Sequence, residues 1–110
     1  MGYKIDDTTK KISLTRGDTL RLAVSINKGN ETYTPTQSDS IKFTMKQTYS
    51  TDVVTLQKII PNDTMVLYIA PSDTRDLRIG SYVYDIEITF ENGDVDTFIS
   101  GVFQILPDVG

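Results

Sequence analysis

Apolar and polar residues alternate along most of the chain, most regularly between Gly80 and Leu106. Side chains of a β-strand point in turn to two faces, so a period of two predicts strands with one buried face. Asn92-Gly93 interrupts this alternation, and both residues tolerate the positive φ of a two-residue type I′ turn. We therefore predict a hairpin with apolar residues on one face. The expected cross-strand pairs are Phe90 with Val95, Ile88 with Thr97, Ile86 with Ile99, Tyr84 with Gly101 and Tyr82 with Phe103.

A second alternation begins at Ile12 and Leu14 and resumes from Leu20 to Ile26, with Arg16-Gly17-Asp18 between the two runs. A hairpin with a loop of these three residues keeps both apolar faces on the same side. Alternatively, the two runs lie in different sheets that the same turn connects. The sequence leaves both arrangements open.

Shorter alternating runs, separated by turn residues, complete the chain. Strands of about five residues at regular spacing are typical of a sandwich or barrel. Residues 71–77 are the one helical candidate, a single turn between strands. We predict an all-β fold in which about seven antiparallel strands pack sheet on sheet. The predicted strands lie near residues 11–15, 19–26, 40–47, 53–60, 64–70, 81–91 and 94–106.

The start of the sixth predicted strand, Gly80-x-Tyr82-x-Tyr84, resembles the equivalent segment of immunoglobulin domains. In those domains the first Tyr forms a tyrosine corner, and a Cys occupies the position of Tyr84. We therefore expect an immunoglobulin-like sandwich without the disulfide of antibody domains. A single domain is expected at 11–107, after a loose N-terminal segment at 1–10 and before a tail at 108–110.

Composition excludes several classes of function. The chain has 110 residues, a net charge of −4 and neither Cys nor His, which rules out disulfides and thiolate–imidazole zinc sites within one chain. The acidic balance disfavours nucleic acid and anionic membranes as partners. No apolar run reaches membrane-spanning length, and no signal peptide is expected. Without a nucleophile–base pair, a phosphate loop or a cofactor motif, we expect no catalysis and no bound metal or cofactor.

Arg16-Gly17-Asp18 matches an integrin-binding tripeptide, but its position between apolar runs favours a tight turn. Tyr33, Tyr49 and Tyr68 could stack on sugars, although tyrosine is also common as half-buried packing in strands.

Acidic residues are dense in the predicted hairpin. In the predicted register two of them face each other, Glu91 and Asp94, while Asp85, Glu87 and Asp96 share the outer face. Paired carboxylates could bind Ca²⁺, but the spacing does not match an EF-hand. A solvated outer face is the simpler interpretation.

Three stretches together, residues 12–26, 40–47 and 69–109, resemble small domains encoded in tail regions of phages and prophages of Gram-positive bacteria. They are similar to the N-terminal domain of the baseplate upper protein. The chain ends at Gly110 without the long receptor-oriented parts, which favours a stand-alone adaptor or decorating subunit. The motifs that carry the resemblance are Arg16-Gly17-Asp18-Thr19, Pro71-x-Asp73-Thr74, and Gly80-x-Tyr82-x-Tyr84-Asp85 leading into Asn92-Gly93-Asp94.

The resemblance implies a non-enzymatic structural protein of the tail or baseplate that acts through protein–protein contacts. Its partners would be other tail or baseplate chains and further copies of itself in a homo-oligomer. It would be a virion component, found in the bacterial cytoplasm before assembly. The expected contact surfaces are edge strands near Lys11–Thr15 or Ile41–Gln47, which could accept a partner strand. The alternative is an immunoglobulin-like module that binds carbohydrate or another ligand.

Overall fold

A computed structural model describes residues 3–5, 9–28 and 31–108 of the chain. These residues form strands and one helical turn, α1 (Pro71–Thr74), which begins with a proline. The strands are β1 (Tyr3–Ile5), β2 (Ile12–Thr15), β3 (Leu20–Ala23), β4 (Ile26–Lys28), β5 (Glu31–Tyr33), β6 (Ser40–Lys46), β7 (Leu56–Ile60), β8 (Val66–Ile69), β9 (Gly80–Thr89) and β10 (Val95–Leu106).

The strands form two sheets that share a core, together with a short additional hairpin. One sheet has the order β1-β2-β10-β9-β6-β7, and the other pairs β3 with β8. The additional hairpin pairs β4 with β5. The prediction of an all-β sandwich is confirmed. The prediction of wholly antiparallel strands is wrong, because β2 runs parallel to β10.

The core lies between the two sheets and follows the alternation of the sequence. Ile41, Phe43 and Met45 on β6 are fully buried, and so are Leu67 and Ile69 on β8. Their polar neighbours along the strands point outward, as a period of two requires. The other buried apolar residues are Ile12, Leu14, Leu20, Val24, Ile26, Ile60, Tyr82, Tyr84, Ile86, Ile88, Phe103 and Ile105.

Strand boundaries differ from the prediction in three places. Residues 3–5, which the sequence assigns to a loose segment, pair as β1 with β2. The predicted strand at 19–26 is divided between β3 and β4, whose partners belong to different sheets. The strand predicted at 53–60 begins only at Leu56, because Val53 and Val54 are exposed in the preceding loop. The chain therefore contains more strands than the predicted seven.

Arg16-Gly17-Asp18 connects the two sheets and does not close a hairpin. β2 pairs with β10, whereas β3 pairs with β8, so the second of the two arrangements left open by the sequence is correct. The Asp18 amide donates to the Thr15 carbonyl across 3.0 Å, and Gly17 takes a φ of 82°. This is a tight turn that needs glycine at its third position.

The turn between β9 and β10 has three residues, so the predicted two-residue turn is wrong. The Gly93 amide donates to the Phe90 carbonyl at 2.9 Å, and the Phe90 amide donates to the Asp94 carbonyl at 2.8 Å. Of the central Asn92-Gly93 pair only Gly93 has positive φ, at 93°. A type I turn followed by a glycine bulge has this pattern.

A second bulge restores the predicted register further along the hairpin. Thr97 pairs with Glu87 and Ile99 with Ile86, which leaves Phe98 as an inserted residue. Beyond Phe98 the three predicted pairs are confirmed: Ile86 with Ile99, Tyr84 with Gly101 and Tyr82 with Phe103. The two pairs nearest the turn are wrong by one residue, because the longer turn displaces β10 until the bulge compensates.

The predicted tyrosine corner is present at the start of β9. The Tyr82 hydroxyl donates to the Arg78 carbonyl, four residues earlier, at 2.7 Å. Tyr82 is itself buried, and α1 lies in the segment that leads to this corner. This hydrogen bond stabilises the connection between β8 in the two-stranded (small) sheet and β9 in the six-stranded (large) sheet. Immunoglobulin domains have a similar contact.

Replacing Tyr82 by Phe is expected to lower the free energy of unfolding by about 1 kcal/mol. The change leaves the ring in the core but removes the hydroxyl that donates to the Arg78 carbonyl. Tyr68→Phe is the matched control, since Tyr68 is 44% exposed, and should change stability by less than about 0.5 kcal/mol. Urea denaturation measures both values, and equal losses would contradict a stabilising corner.

Candidate functional site

A cavity of about 380 Å³ opens between the two sheets beside β3. Its walls are mainly apolar side chains from both sheets, and part of the β3 backbone borders it. The described residues that line it are Lys10, Ile12, Leu22, Ala23, Val24, Ser25, Tyr84, Ile86, Phe98 and Ile99. We call this cavity and its rim the β3 groove.

The β3 groove exists because two strands lack a neighbour at this place. β2 pairs with β10 only over residues 103–106, so the earlier part of β10 has β9 on one side and no described strand on the other. β3 has β8 as its single described strand partner. The groove thus occupies the position where a further strand would lie.

The backbone of Ala23 faces this open side. The next residue, Val24, donates its amide to the Met65 carbonyl at 2.9 Å on the β8 side. Backbone groups of an antiparallel pair alternate between the partner and the opposite edge. The Ala23 amide therefore points away from β8, and Ala23 is exposed.

The bulge in β10 shapes the opposite wall. Phe98 and Ile99 are both half-buried and line the groove. Because Phe98 is the inserted residue, its ring and the Ile99 side chain depart from the simple alternation of the strand. The bulge thus adds aromatic surface to the groove.

Lys10 lies at the mouth of the groove, where its backbone is held in place. The Tyr84 hydroxyl donates to the Lys10 carbonyl, and Lys10 has a φ of 61° in the left-handed region. Gly101 lies against the same carbonyl; a Cβ on Gly101 would be 2.7 Å from that oxygen. Absence of a side chain at 101 therefore permits the close approach.

Stability is expected to fall as the pH rises from about 10 to about 12, through Tyr84. Burial, with a smaller contribution from Tyr49, raises the pKa of Tyr84 to about 12. Since tyrosine in an unfolded chain has a pKa near 10, the native state binds more protons in this window. Urea denaturation at several alkaline pH values measures the slope. Tyr84→Phe should flatten it, and an unchanged slope would contradict the assignment.

The groove differs in charge from the rest of the molecule. Among the described residues that line it, Lys10 alone is charged, and the lining contains no carboxylate. The chain as a whole carries 15 acidic and 11 basic residues. A contact surface here therefore combines apolar side chains with polar backbone groups and has a positively charged rim.

The tripeptide Arg16-Gly17-Asp18 is engaged within the fold. The Arg16 guanidinium lies 2.8 Å from an Asp108 carboxylate oxygen, and the Gly17 amide donates to the buried Thr74 hydroxyl at 2.9 Å. These contacts join the turn to α1 and to the end of β10, as the interpretation as a structural turn predicts.

The structure divides the predicted acidic cluster. Asp85 and Glu87 share the outer face, and Glu87 pairs with Lys42 at 3.1 Å. Burial, and then the charge of Glu87, raise the pKa of Asp85. Asp96 is opposite Ile88 and so does not share that face, which corrects the predicted grouping.

The predicted pairing of Glu91 with Asp94 in the turn is also wrong. The Phe90 amide donates to the Asp94 carbonyl, so Asp94 lies opposite Phe90 and does not face Glu91. Among the described residues no group of three or more acidic side chains is arranged to hold a metal ion.

The three tyrosines considered for sugar binding lie apart. Tyr33 packs edge-on against Phe90, and its hydroxyl donates to the buried Asp39 carboxylate at 2.5 Å. Tyr49 lies beside Val83 on the outer face of the large sheet, while Tyr68 is on the outer side of the small sheet. They do not form one stacking platform, so no observation favours the carbohydrate-binding alternative.

The Tyr33–Asp39 contact is a structural hydrogen bond at the edge of a second cavity of about 480 Å³. The bond from Tyr33, and then the Thr36 amide, hold the pKa of the Asp39 carboxyl below its usual value. The same bond raises the pKa of the Tyr33 hydroxyl. Both groups are thus partnered.

The predicted edge strands are wrong. Ile12–Thr15 lies between β1 and β10, and Ser40–Lys46 lies between β9 and β7, so both are interior strands. The open edge of β3 was not predicted from the sequence, because apolar and polar residues alternate in the same way in an edge strand and in an interior strand. The one signal was Phe98, an apolar residue out of phase with its neighbours.

No described helix is long and apolar enough to cross a membrane. The chain matches no model of a known protein family, and no curated protein matches it.

Proposed function

We propose that this chain is a non-enzymatic structural protein of a phage or prophage tail or baseplate and acts through protein–protein contacts. The observation that carries the proposal is the β3 groove, a cavity with many apolar side chains in its lining that is bordered by the open edges of two strands. Open edges and apolar grooves are surfaces that partner proteins cover. The sequence motifs that resemble tail-region domains supply the biological setting.

Two of the three motif regions have structural roles that agree with a scaffold. Arg16-Gly17-Asp18 forms the turn between the sheets, and Tyr82 forms the corner at the start of β9. The turn connects the two sheets, and the corner holds the start of β9. These residues thus maintain the shape of the domain, while Tyr84 of the same motif lines the proposed contact surface.

The proposed partners are other tail or baseplate proteins and further copies of this chain. The proposed location is the virion, with a cytoplasmic stage in the bacterium before assembly. A symmetric ring is the usual form of such assemblies, and its neighbouring copies would meet through two different, complementary surfaces.

Co-purification and light scattering test this proposal together. The tagged chain is co-expressed with each tail protein encoded beside it, and its solution mass is measured over a concentration series. We expect a stable complex with at least one neighbour or a defined oligomer. A strict monomer that binds none of these neighbours would overturn the proposal. A second tagged β-sandwich domain of unrelated sequence controls for nonspecific capture.

A further inference from the structure

We infer that the β3 groove binds an extended segment of a partner chain by strand addition, and that the segment carries apolar side chains and a carboxylate. This inference rests on the proposed function, since the segment would belong to a tail or baseplate protein. It names the chemistry of the contact, which the proposed function leaves open.

The backbone of β3 selects an extended partner. The Ala23 amide points toward the open side, where no described strand accepts it. An edge of this kind forms main-chain hydrogen bonds with an added strand, while pockets beside it receive alternate side chains. A helix or a compact surface could not place its own backbone beside the Ala23 amide as an extended strand can.

The lining of the groove selects the side chains. Leu22 and Ile99 are half-buried at its walls, and Ile86 forms part of its inner surface. Alternate apolar side chains of the added strand would cover Leu22 and Ile99 and remove them from water, whereas Ile86 is already fully buried. The cavity volume of about 380 Å³ is enough for side chains of this kind.

The charge of the rim selects a carboxylate. Lys10 is the one charged residue among those described in the lining, within a chain whose net charge is −4. Lys10 is exposed, so its attraction for a carboxylate is modest and decreases with salt. A carboxylate placed opposite Lys10 is thus favoured over a basic side chain at the same position.

Two synthetic octapeptides test the inference. Both alternate Val with Thr and have blocked ends; one carries a central Glu and the other a central Lys in the same position. Binding is followed at low salt by NMR chemical shifts of the ¹⁵N-labelled full chain. We expect the shifts to concentrate at residues 22–25 and 98–101, with the Glu peptide bound about two- to fivefold more tightly. Shifts located elsewhere, or no binding, would overturn the inference.

Ala23→Pro removes the outward amide without removing a bond to β8, since proline is tolerated where a strand faces an open edge. We expect peptide affinity to fall at least about tenfold, while Ala23→Ser, which keeps the amide, binds as the parent does. Unchanged affinity in Ala23→Pro would overturn strand addition. Circular dichroism shows whether Ala23→Pro folds. If it does not, the NMR shifts of the parent chain on peptide binding still test strand addition.

Lys10→Glu tests the carboxylate, with Lys11→Glu as the matched control. Lys11 is exposed but does not line the cavity. Lys10→Glu should reverse the preference so that the Lys peptide binds more tightly, whereas Lys11→Glu should preserve the original order. Equal effects of the two variants would overturn the role of Lys10.

Light scattering distinguishes a second copy from a foreign segment. Self-association that Ala23→Pro abolishes would assign the groove to a second copy and overturn the inference. Failure of peptide binding with co-purification retained would overturn the inference alone. Loss of co-purification with every neighbour, together with a monomeric mass, would overturn the proposed function.

Discussion

Ile86→Ala is expected to lower the free energy of unfolding by about 2–5 kcal/mol. Ile86 is fully buried on β9, with Phe43 of β6 and Ile99 of β10 as its cross-strand partners. Removing three carbon atoms at this position loses apolar burial and leaves space that the two neighbouring strands cannot readily fill. For a domain of this size the loss is a large part of the total stability.

Ile59→Ala provides the matched control for Ile86→Ala. Ile59 is also an isoleucine in a strand of the large sheet, but it is 66% exposed. Its replacement should change stability by less than about 0.5 kcal/mol. Urea denaturation of both variants gives the comparison, and a cost at Ile86 no greater than that at Ile59 would refute its central place in the core.

The burial pattern could be predicted from the sequence because it follows from the period of two in each strand. Alternation on β6 and β9 identified Phe43, Tyr84 and Ile86 as inward-facing, and all three are buried. The tyrosine corner at Tyr82 was also predictable, since its donor and acceptor are four residues apart. Features defined within one short segment were therefore accessible to sequence reasoning.

Register near the turn was not predictable in this way. A two-residue turn and a three-residue turn followed by a bulge give the same pairs beyond Phe98, so the apolar pattern there fits both. Only the pairs of Phe90 and Ile88 differ, and their partners on β10, residues 94–97, are all exposed. β10 therefore buries no face here that would distinguish the two alternatives, because register is specified strongly only where a face is buried.

The site was less predictable than the core because an open edge is a property of the whole topology. The alternation in Ile12–Thr15 shows that one face is buried, but it does not show which strands lie on either side. β2 is flanked by β1 and by β10, about ninety residues away in sequence, while β3 keeps an open side. Neighbours in a sheet depend on such long-range pairing, which no local pattern contains.

Gly101→Ala is expected to lower the free energy of unfolding by about 1–3 kcal/mol and to disturb the mouth of the β3 groove. An added Cβ would be 2.7 Å from the Lys10 carbonyl oxygen and 3.3 Å from the Tyr84 ring. The first contact is with backbone, which cannot move aside as a flexible side chain can. Relief of the clash requires β10 or the Lys10 segment to shift.

Two measurements separate this clash from a general loss of stability. Ser100→Ala is the neighbouring control, since Ser100 is exposed on the same strand, and it should change stability by less than about 0.5 kcal/mol. If the Lys10 segment shifts, the Tyr84 hydroxyl loses the Lys10 carbonyl and becomes more exposed to water. The pKa of Tyr84 should then fall from about 12 toward its ordinary value, measured by ultraviolet titration. If the variant is less stable but the pKa of Tyr84 is unchanged, the Lys10 segment has stayed in position and β10 has shifted. Displacement of the Lys10 segment would uncover the Tyr84 hydroxyl and lower its pKa.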